Sequence, residues 1–102
     1  MTAHHKVALV VGAQGVIGRN LIDHLATLDD WRIVGLSRRG GESTERVRHI
    51  AVDLLDAADT RAKLGALSNV THIFYAAYQD RPTWPELVPP NLVMLTNVVD
   101  AI

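Results

Sequence analysis

Three glycines at even spacing, Gly12, Gly15 and Gly18, lie in the segment Gly12-Ala-Gln-Gly-Val-Ile-Gly18. The apolar, β-branched run Lys6-Val-Ala-Leu-Val-Val11 leads into them. Behind them Ile17, Leu21, Leu25 and Leu28 recur every three to four residues, a helical stripe that predicts a helix over 16–28. A glycine loop between a buried strand and a helix is suited to holding phosphates. Gly12 would let the chain turn sharply. Gly15 would let a pyrophosphate approach the backbone, and Gly18 would let the helix lie close to the strand. The helix start offers free N–H groups and a partial positive charge. The spacing is G-x-x-G-x-x-G, not the more familiar G-x-G-x-x-G. An ordinary strand–helix turn with chance glycines is the competing reading, and the flanking strand and helix weigh against it.

The second set of residues follows the next strand, Arg32-Ile-Val-Gly-Leu-Ser37. An NAD site of this type carries an acid about twenty residues beyond the glycines, where it bonds the ribose 2′-hydroxyl. Here Ser37-Arg38-Arg39 stands in that place with no acid among the three. A guanidinium grips a phosphate through two parallel bonds and stacks on flat rings. The expectation is that Arg38 binds a 2′-phosphate, Ser37 adds a hydroxyl and Arg39 assists, which selects NADP(H) over NAD(H). A solvated loop tip is the plainer alternative. Asp53-Leu54 follows a third strand over 47–52. Asp53 is placed either to accept a bond from an adenine amino group, with Leu54 against the ring, or simply to turn the chain. Ala76-Ala77-Tyr78 follows a fourth strand over 71–76. The small residues there suit close approach of a cofactor ribose or, equally, close packing of the sheet.

The elements that must position these residues alternate. After the first strand and helix come the second strand, a polar loop over 38–48, and the third strand. A helix over 56–67 follows, with Asp56 as its N-cap and Asp59 in its first turn. The fourth strand comes next. All four prolines lie in 81–90, which predicts an irregular segment, and Leu92, Leu95, Val98 and Val99 predict a last helix over 91–102. Alternating strands and helices argue for parallel βαβ units in an α/β fold. Right-handed crossovers then put the first strand centrally, in the order 3-2-1-4.

Composition narrows the function. The 102 residues carry a net charge of -1, 48% hydrophobic and 21% charged residues, consistent with one globular domain spanning 1–102. A nucleic-acid binder would show a basic excess. With no Cys, disulfides and thiolate metal sites are excluded. His24, His49 and His72 have no ligand spacing, so no metal is expected. No signal peptide or membrane span is legible, and the cytoplasm is the expected location. Trp31 and Trp84 are expected to pack on the sheet surface.

The segments Val-Val-Gly-Ala-Gln-Gly-Val-Ile-Gly-Arg-Asn-Leu, Gly-Leu-Ser-Arg-Arg and Val-Asp-Leu together resemble the extended short-chain dehydrogenase/reductase superfamily, also called the NAD-dependent epimerase/dehydratase superfamily. Val70-Thr-His-Ile-Phe-Tyr-Ala-Ala-Tyr78 and Asp59-Thr-Arg-Ala-Lys-Leu64 resemble its progesterone 5β-reductase and iridoid synthase-like branch. The resemblance implies a Rossmann-type sheet and a parent enzyme that uses NADPH to reduce an activated carbon–carbon double bond, typically an enone. By position it implies Gly12, Gly15, Val16, Ile17 and Gly18 at the pyrophosphate, and Ser37, Arg38 and Arg39 at the 2′-phosphate. Asp53 and Leu54 would lie at adenine, and Ala76, Ala77 and Tyr78 at the nicotinamide-side ribose. Asn91 would match a structural Asn at the start of the following helix.

One part of the family's pattern is missing. Its chemistry uses a Tyr and a Lys spaced Tyr-x-x-x-Lys, and the residues four beyond Tyr75 and Tyr78 are Gln79 and Pro82. No catalytic residue is therefore expected, and the chain reads as the N-terminal part of a longer protein whose small-molecule substrate pocket lies elsewhere. Two other functions remain open: a non-catalytic NAD(P)-sensing regulator that has lost Tyr and Lys, and a sugar-nucleotide epimerase or dehydratase. Ser37-Arg38-Arg39 argues against the latter. An open fourth strand would expose a sheet edge and favour a homodimer.

Overall fold

The computed structural model describes residues 6–44, 46–67, 69–77 and 83–101, apart from the side chains of Trp84 and Leu87. Seven elements follow one another: β1 (Lys6–Val11), α1 (Val16–Leu25), β2 (Trp31–Ser37), β3 (Val47–Ala51), α2 (Ala57–Gly65), β4 (His72–Tyr75) and α3 (Trp84–Ala101). The strands form one parallel sheet in the order β3-β2-β1-β4, as the alternation predicts. It is a Rossmann-like half sheet with β1 inside.

Strand pleating divides the core. Val7, Leu9 and Val11 face α2 and α3, where they join Val34, Leu36, Val52, Leu54, Leu64, Met94 and Val98. Ala8 and Val10 face the other way and join Ala13, Ile22, Leu25, Ile33 and Val47 under α1. A strand buried on both faces must be apolar at every position, which is why β1 reads as a continuous run and not an alternating one.

Three features of α1 and α3 depart from the sequence reading. First, α1 stops at Leu25, not Leu28, and its inward residues are Gly18, Ile22 and Leu25. Ile17 is 73% exposed. The glycine at position 18 turns the helix so that its bare backbone, not Ile17, meets the loop. Second, α3 begins at Trp84 and runs through Pro85, Pro89 and Pro90, where an irregular segment was expected. Pro85 lies in the first turn, where its missing N–H has no intrahelical partner to lose. Pro89 and Pro90 each give up one helical bond, and burial of Met94 and Val98 against the sheet offsets that loss. Third, the inward face of α3 is Met94 and Val98, while Leu92, Leu95 and Val99 are exposed. Asn91 accordingly lies inside the helix, not at its start.

The loop over 38–46 is pinned at its far end by Arg46. Its guanidinium donates to the carbonyls of Ala26, Leu28 and Trp31, at 2.8 Å to Ala26 and 2.9 Å to Trp31. The Ala26 and Leu28 carbonyls lie just beyond α1, where helical partners have run out and a cation is favoured, and that of Trp31 lies at the start of β2. The backbone of Arg46 also accepts from Ile33, at 3.0 Å, and so begins the β2–β3 pairing. Arg46→Ala is expected to lower unfolding free energy by about 1–2 kcal/mol, and Arg46→Lys to recover little of it because the planar fork is gone. Urea unfolding checks both.

Candidate dinucleotide-binding site

The site is built where the strand order reverses, at the carboxyl ends of β1, β2 and β4. The carbonyl of Leu36, near the end of β2, accepts the N–H groups of both Gly12 and Ala13, each at 2.9 Å. On the other side, Ala76 donates to the carbonyl of Val11 at 2.7 Å. Gly12 is thus held between two neighbouring strand ends. Its φ of 93° lies in the left-handed region that disfavours side chains. A Cβ there would also fall 2.6 Å from the amide nitrogen of Ala77 and 2.7 Å from the carbonyl of Ala76.

The other two glycines are needed for different reasons. A Cβ on Gly18 would run into the backbone of Gly12 and Ala13, so the helix can rest on the loop only if position 18 is bare. Gly15 is under no such pressure. Its φ is -75°, and the nearest atom to an added Cβ is the Gly12 carbonyl oxygen at an ordinary 3.5 Å. Nothing inside the protein demands a glycine at 15.

Gly15 is also the N-cap of α1, and no side chain caps the helix there. A serine or aspartate at an N-cap contributes about 1 kcal/mol. Among the described residues, the N–H groups of Gln14, Val16, Ile17 and Gly18 have no backbone acceptor. They open beside a recess of about 460 Å³ lined by Gly12, Gly15, Val16, Ile17, Ala76 and Ala77. Val16 is 79% exposed, so the helix start is uncovered. An anion with several oxygens fits such a cradle of unpaired donors at a positive helix end.

Ser37 ends β2, and Arg38 and Arg39 follow it as exposed residues. Among the described residues neither guanidinium has an ion-pair or hydrogen-bond partner. The Ser37 hydroxyl donates to the Gly40 carbonyl at 3.0 Å, so its one proton is already engaged.

Beyond β3, Asp53 is exposed and its Oδ1 accepts from the N–H of Leu55 at 3.0 Å. Its own N–H donates to Asp59 Oδ2 at 2.8 Å. That bond, joined by the Lys63 ammonium at 3.4 Å, holds the Asp59 carboxyl below its usual range. Leu54 is buried in the core, and its carbonyl accepts from Asn97 Nδ2 of α3 at 2.7 Å. Asp53 therefore has the turn-forming bond, and its second carboxylate oxygen faces solvent at the strand end. Tyr78 lies outside the described residues. Tyr75 is half-buried, and burial pushes its phenol pKa up.

The structure thus brings Gly12, Gly15, Val16, Ile17, Ala76 and Ala77 together around one recess and leaves Ser37, Arg38 and Arg39 on the adjoining strand end. Sequence reasoning missed Gln14, whose side chain donates to the Gly40 carbonyl at 3.0 Å, and Arg19, which donates to the Gln14 carbonyl at 3.2 Å. No periodicity marks such side-chain-to-backbone bonds. No helix among the described residues is long and apolar enough to cross a membrane.

A glycine loop, an uncapped helix and a parallel sheet open at its carboxyl end define a dinucleotide-binding protein, and the chain belongs to the NAD dependent epimerase/dehydratase family, whose profile matches residues 8–102. It is 38% identical over 106 residues to (S)-8-oxocitronellyl enol synthase of Nepeta cataria, a match covering 97% of this chain and 27% of that protein. It is 36% identical over 104 residues to the 3-oxo-Delta(4,5)-steroid 5-beta-reductase of Arabidopsis thaliana, covering 95% of this chain and 27% of that protein. The chain therefore spans about a quarter of the length of these curated relatives. In fold it is similar to the Bordetella bronchiseptica enzyme WbmH in complex with NAD+, with a TM-score of 0.77 at 20% identity over 96% of this chain and 35% of that one. It is also similar to NADPH bound carbonyl reductase from chicken fatty liver, with a TM-score of 0.74 at 14% identity over 98% of this chain and 48% of that one.

The three glycines are expected to separate on substitution. Gly12→Ala and Gly18→Ala should each cost about 1–3 kcal/mol of stability, through backbone strain and overpacking. Gly15→Ala should stay within about 1 kcal/mol of the native chain. Denaturant midpoints measure the difference.

Proposed function

We propose that this chain forms the adenosine-phosphate half of an NADP(H) site, in a parent enzyme that reduces an activated carbon–carbon double bond or carbonyl of a small molecule. The observation that carries the choice of NADP(H) is the exposed Arg38-Arg39 pair at the end of β2, which has no partner among the described residues and stands where an NAD site has an acid. The similarity to a steroid 5-beta-reductase and to enol synthases supports the reductase reading.

In this reading the free N–H groups of Val16, Ile17 and Gly18 donate to the pyrophosphate, and Gly12 and Gly15 leave their backbone open to it. Arg38 grips the 2′-phosphate, assisted by Arg39, while the Ser37 hydroxyl keeps the turn that carries them closed on the Gly40 carbonyl. The free oxygen of Asp53 accepts from the adenine amino group at the rim, with Leu54 beneath. Ala76 and Ala77 line the nicotinamide-side ribose. Bound there, the cofactor would supply a hydride to the substrate. With no Tyr-x-x-x-Lys pair in its sequence, this chain holds the nucleotide and is expected to turn over no substrate alone.

Arg38→Ala is expected to weaken NADPH binding roughly ten- to hundredfold, the worth of a charged hydrogen-bonded contact, and to leave NADH binding unchanged. Gly15→Ala should weaken both alike, because the pyrophosphate is common to them. Calorimetric titration of each cofactor reads this directly. Equal affinity of the native chain for NADPH and NADH would overturn the NADP(H) assignment.

The same reading includes self-association. Ile73 on β4 and Val88, Leu92, Leu95 and Val99 on α3 are exposed apolar side chains. β4 has β1 as its strand partner on one side and no strand on the other among the described residues. The 102-residue chain is expected to run as a dimer in light scattering; a stable monomer would refute this.

A further inference from the structure

We propose that Gln14 is a positioning residue for cofactor choice, a latch that ties the pyrophosphate loop to the turn carrying the 2′-phosphate arginines. The proposal rests on the NADP(H) reading and adds to it a residue that the glycine loop holds for a purpose other than the pyrophosphate.

Gln14 occupies one of the two positions between Gly12 and Gly15. Its backbone is fixed from both sides of the loop. Its neighbour Ala13 is bonded to Leu36, and its own carbonyl accepts from Arg19 of α1. From that fixed base its side chain crosses 26 residues of sequence to donate Nε2–H to the Gly40 carbonyl at 3.0 Å. The Ser37 hydroxyl donates to the same oxygen, also at 3.0 Å. One carbonyl thus has both lone pairs engaged. The Ser37 bond closes the turn 37–40, and the Gln14 bond fastens that closed turn to the glycine loop. Arg38 and Arg39 are the two residues in between.

The surroundings fit a side chain held in place. Gly40 has a φ of 71°, a left-handed conformation that aims its carbonyl back at the loop. Next to it, a Cβ on Gly41 would run into Gln14 Nε2 and lie 3.0 Å from Cγ of the His49 ring. The His49 backbone is itself tied to the returning loop, its N–H donating to Ser43 Oγ at 2.9 Å. Gln14 is exposed, and its amide lies directly against Gly41 of the β2–β3 loop. The chemistry also selects the residue. The carbonyl needs a donor, and a neutral amide supplies one without a charge. A glutamate would set a carboxylate against a carbonyl oxygen and beside the phosphate that the arginines hold.

The consequence is selective. Without the latch the pyrophosphate cradle is intact, but the arginine turn loses its reference to it. The loss should fall on nucleotides that carry a 2′-phosphate. The test is calorimetric titration of the 102-residue chain with adenosine 2′,5′-bisphosphate and with 5′-AMP. Gln14→Ala is expected to weaken the bisphosphate roughly three- to tenfold and leave 5′-AMP unchanged, the range of one hydrogen bond. Gln14→Glu should weaken it further. Gly41→Ala, which crowds the amide from the other side, should reproduce the effect when Gln14 is present and add little once Gln14 is alanine. An equal loss for both nucleotides, or none for either, would overturn the latch. If the native chain itself bound the two nucleotides equally, the NADP(H) reading would fail and the latch with it, a result visible before any variant is made.

Discussion

The turn at Gly12 is the constraint on which the rest of this structure depends. The chain leaves β1 there with a positive φ, and the Leu36 carbonyl takes two successive N–H groups to hold it. Ala76 and Ala77 close the other side at distances that admit no side chain. Three strand ends are thereby registered on one residue. The same turn sets where α1 can begin, because Gly18 must lie against the backbone it creates. Move Gly12 and the recess, the helix direction and the distance to the β2 turn all move with it.

That constraint explains an uneven treatment of polar backbone. Elsewhere the protein satisfies its helix ends and loops with side chains. Asp56 accepts from Ala58 and Asp59 at the start of α2, Arg46 covers three carbonyls beyond α1, and Asn97 reaches the Leu54 carbonyl from α3. The start of α1 receives nothing of the kind. A cap would add stability at the expense of the donors that an anion needs. The uncapped end, next to an unforced glycine at 15, is the point where local rules of helix stability are not followed, as the proposed anion site would require.

How much was legible in the sequence follows from how local each cause is. The β1 run, the glycine turn, the Asp56 cap and the strand order rest on neighbours in sequence or on the handedness of crossovers, and all were readable. The face of α1 was not, because Ile17 sits where apolar periodicity predicts burial but where the loop leaves the helix start open. The start of α3 was hidden by its prolines: their helix-breaking cost is a local quantity, whereas the burial of Met94 and Val98 that outweighs it is tertiary. The inward side of α3 was ambiguous because apolar residues surround the helix, so periodicity has little contrast to report. Gln14, Arg46 and Asn97 act on backbone 15 to 43 residues away, which no pattern within one element encodes.

Two exposed arginines are weak evidence for a site on their own, since ion pairs between mobile surface groups contribute only about 0–1 kcal/mol. The same guanidinium bound bidentately to a phosphate in fixed geometry is worth more, because less side-chain freedom is lost on binding. What separates the two cases is the backbone beneath the side chains. Here the turn 37–40 is closed on itself by Ser37 and, through Gln14, is referred to the loop that would hold the pyrophosphate. A 2′-phosphate and a pyrophosphate belong to one nucleotide, so a protein that recognises both must hold their two sites at a compatible spacing. The sheet fixes it coarsely by pairing β1 with β2, and a single amide bridging the two loops above that pair fixes it finely. On the proposed reading, cofactor choice in this chain depends on the distance between two loops as much as on the charge of either one.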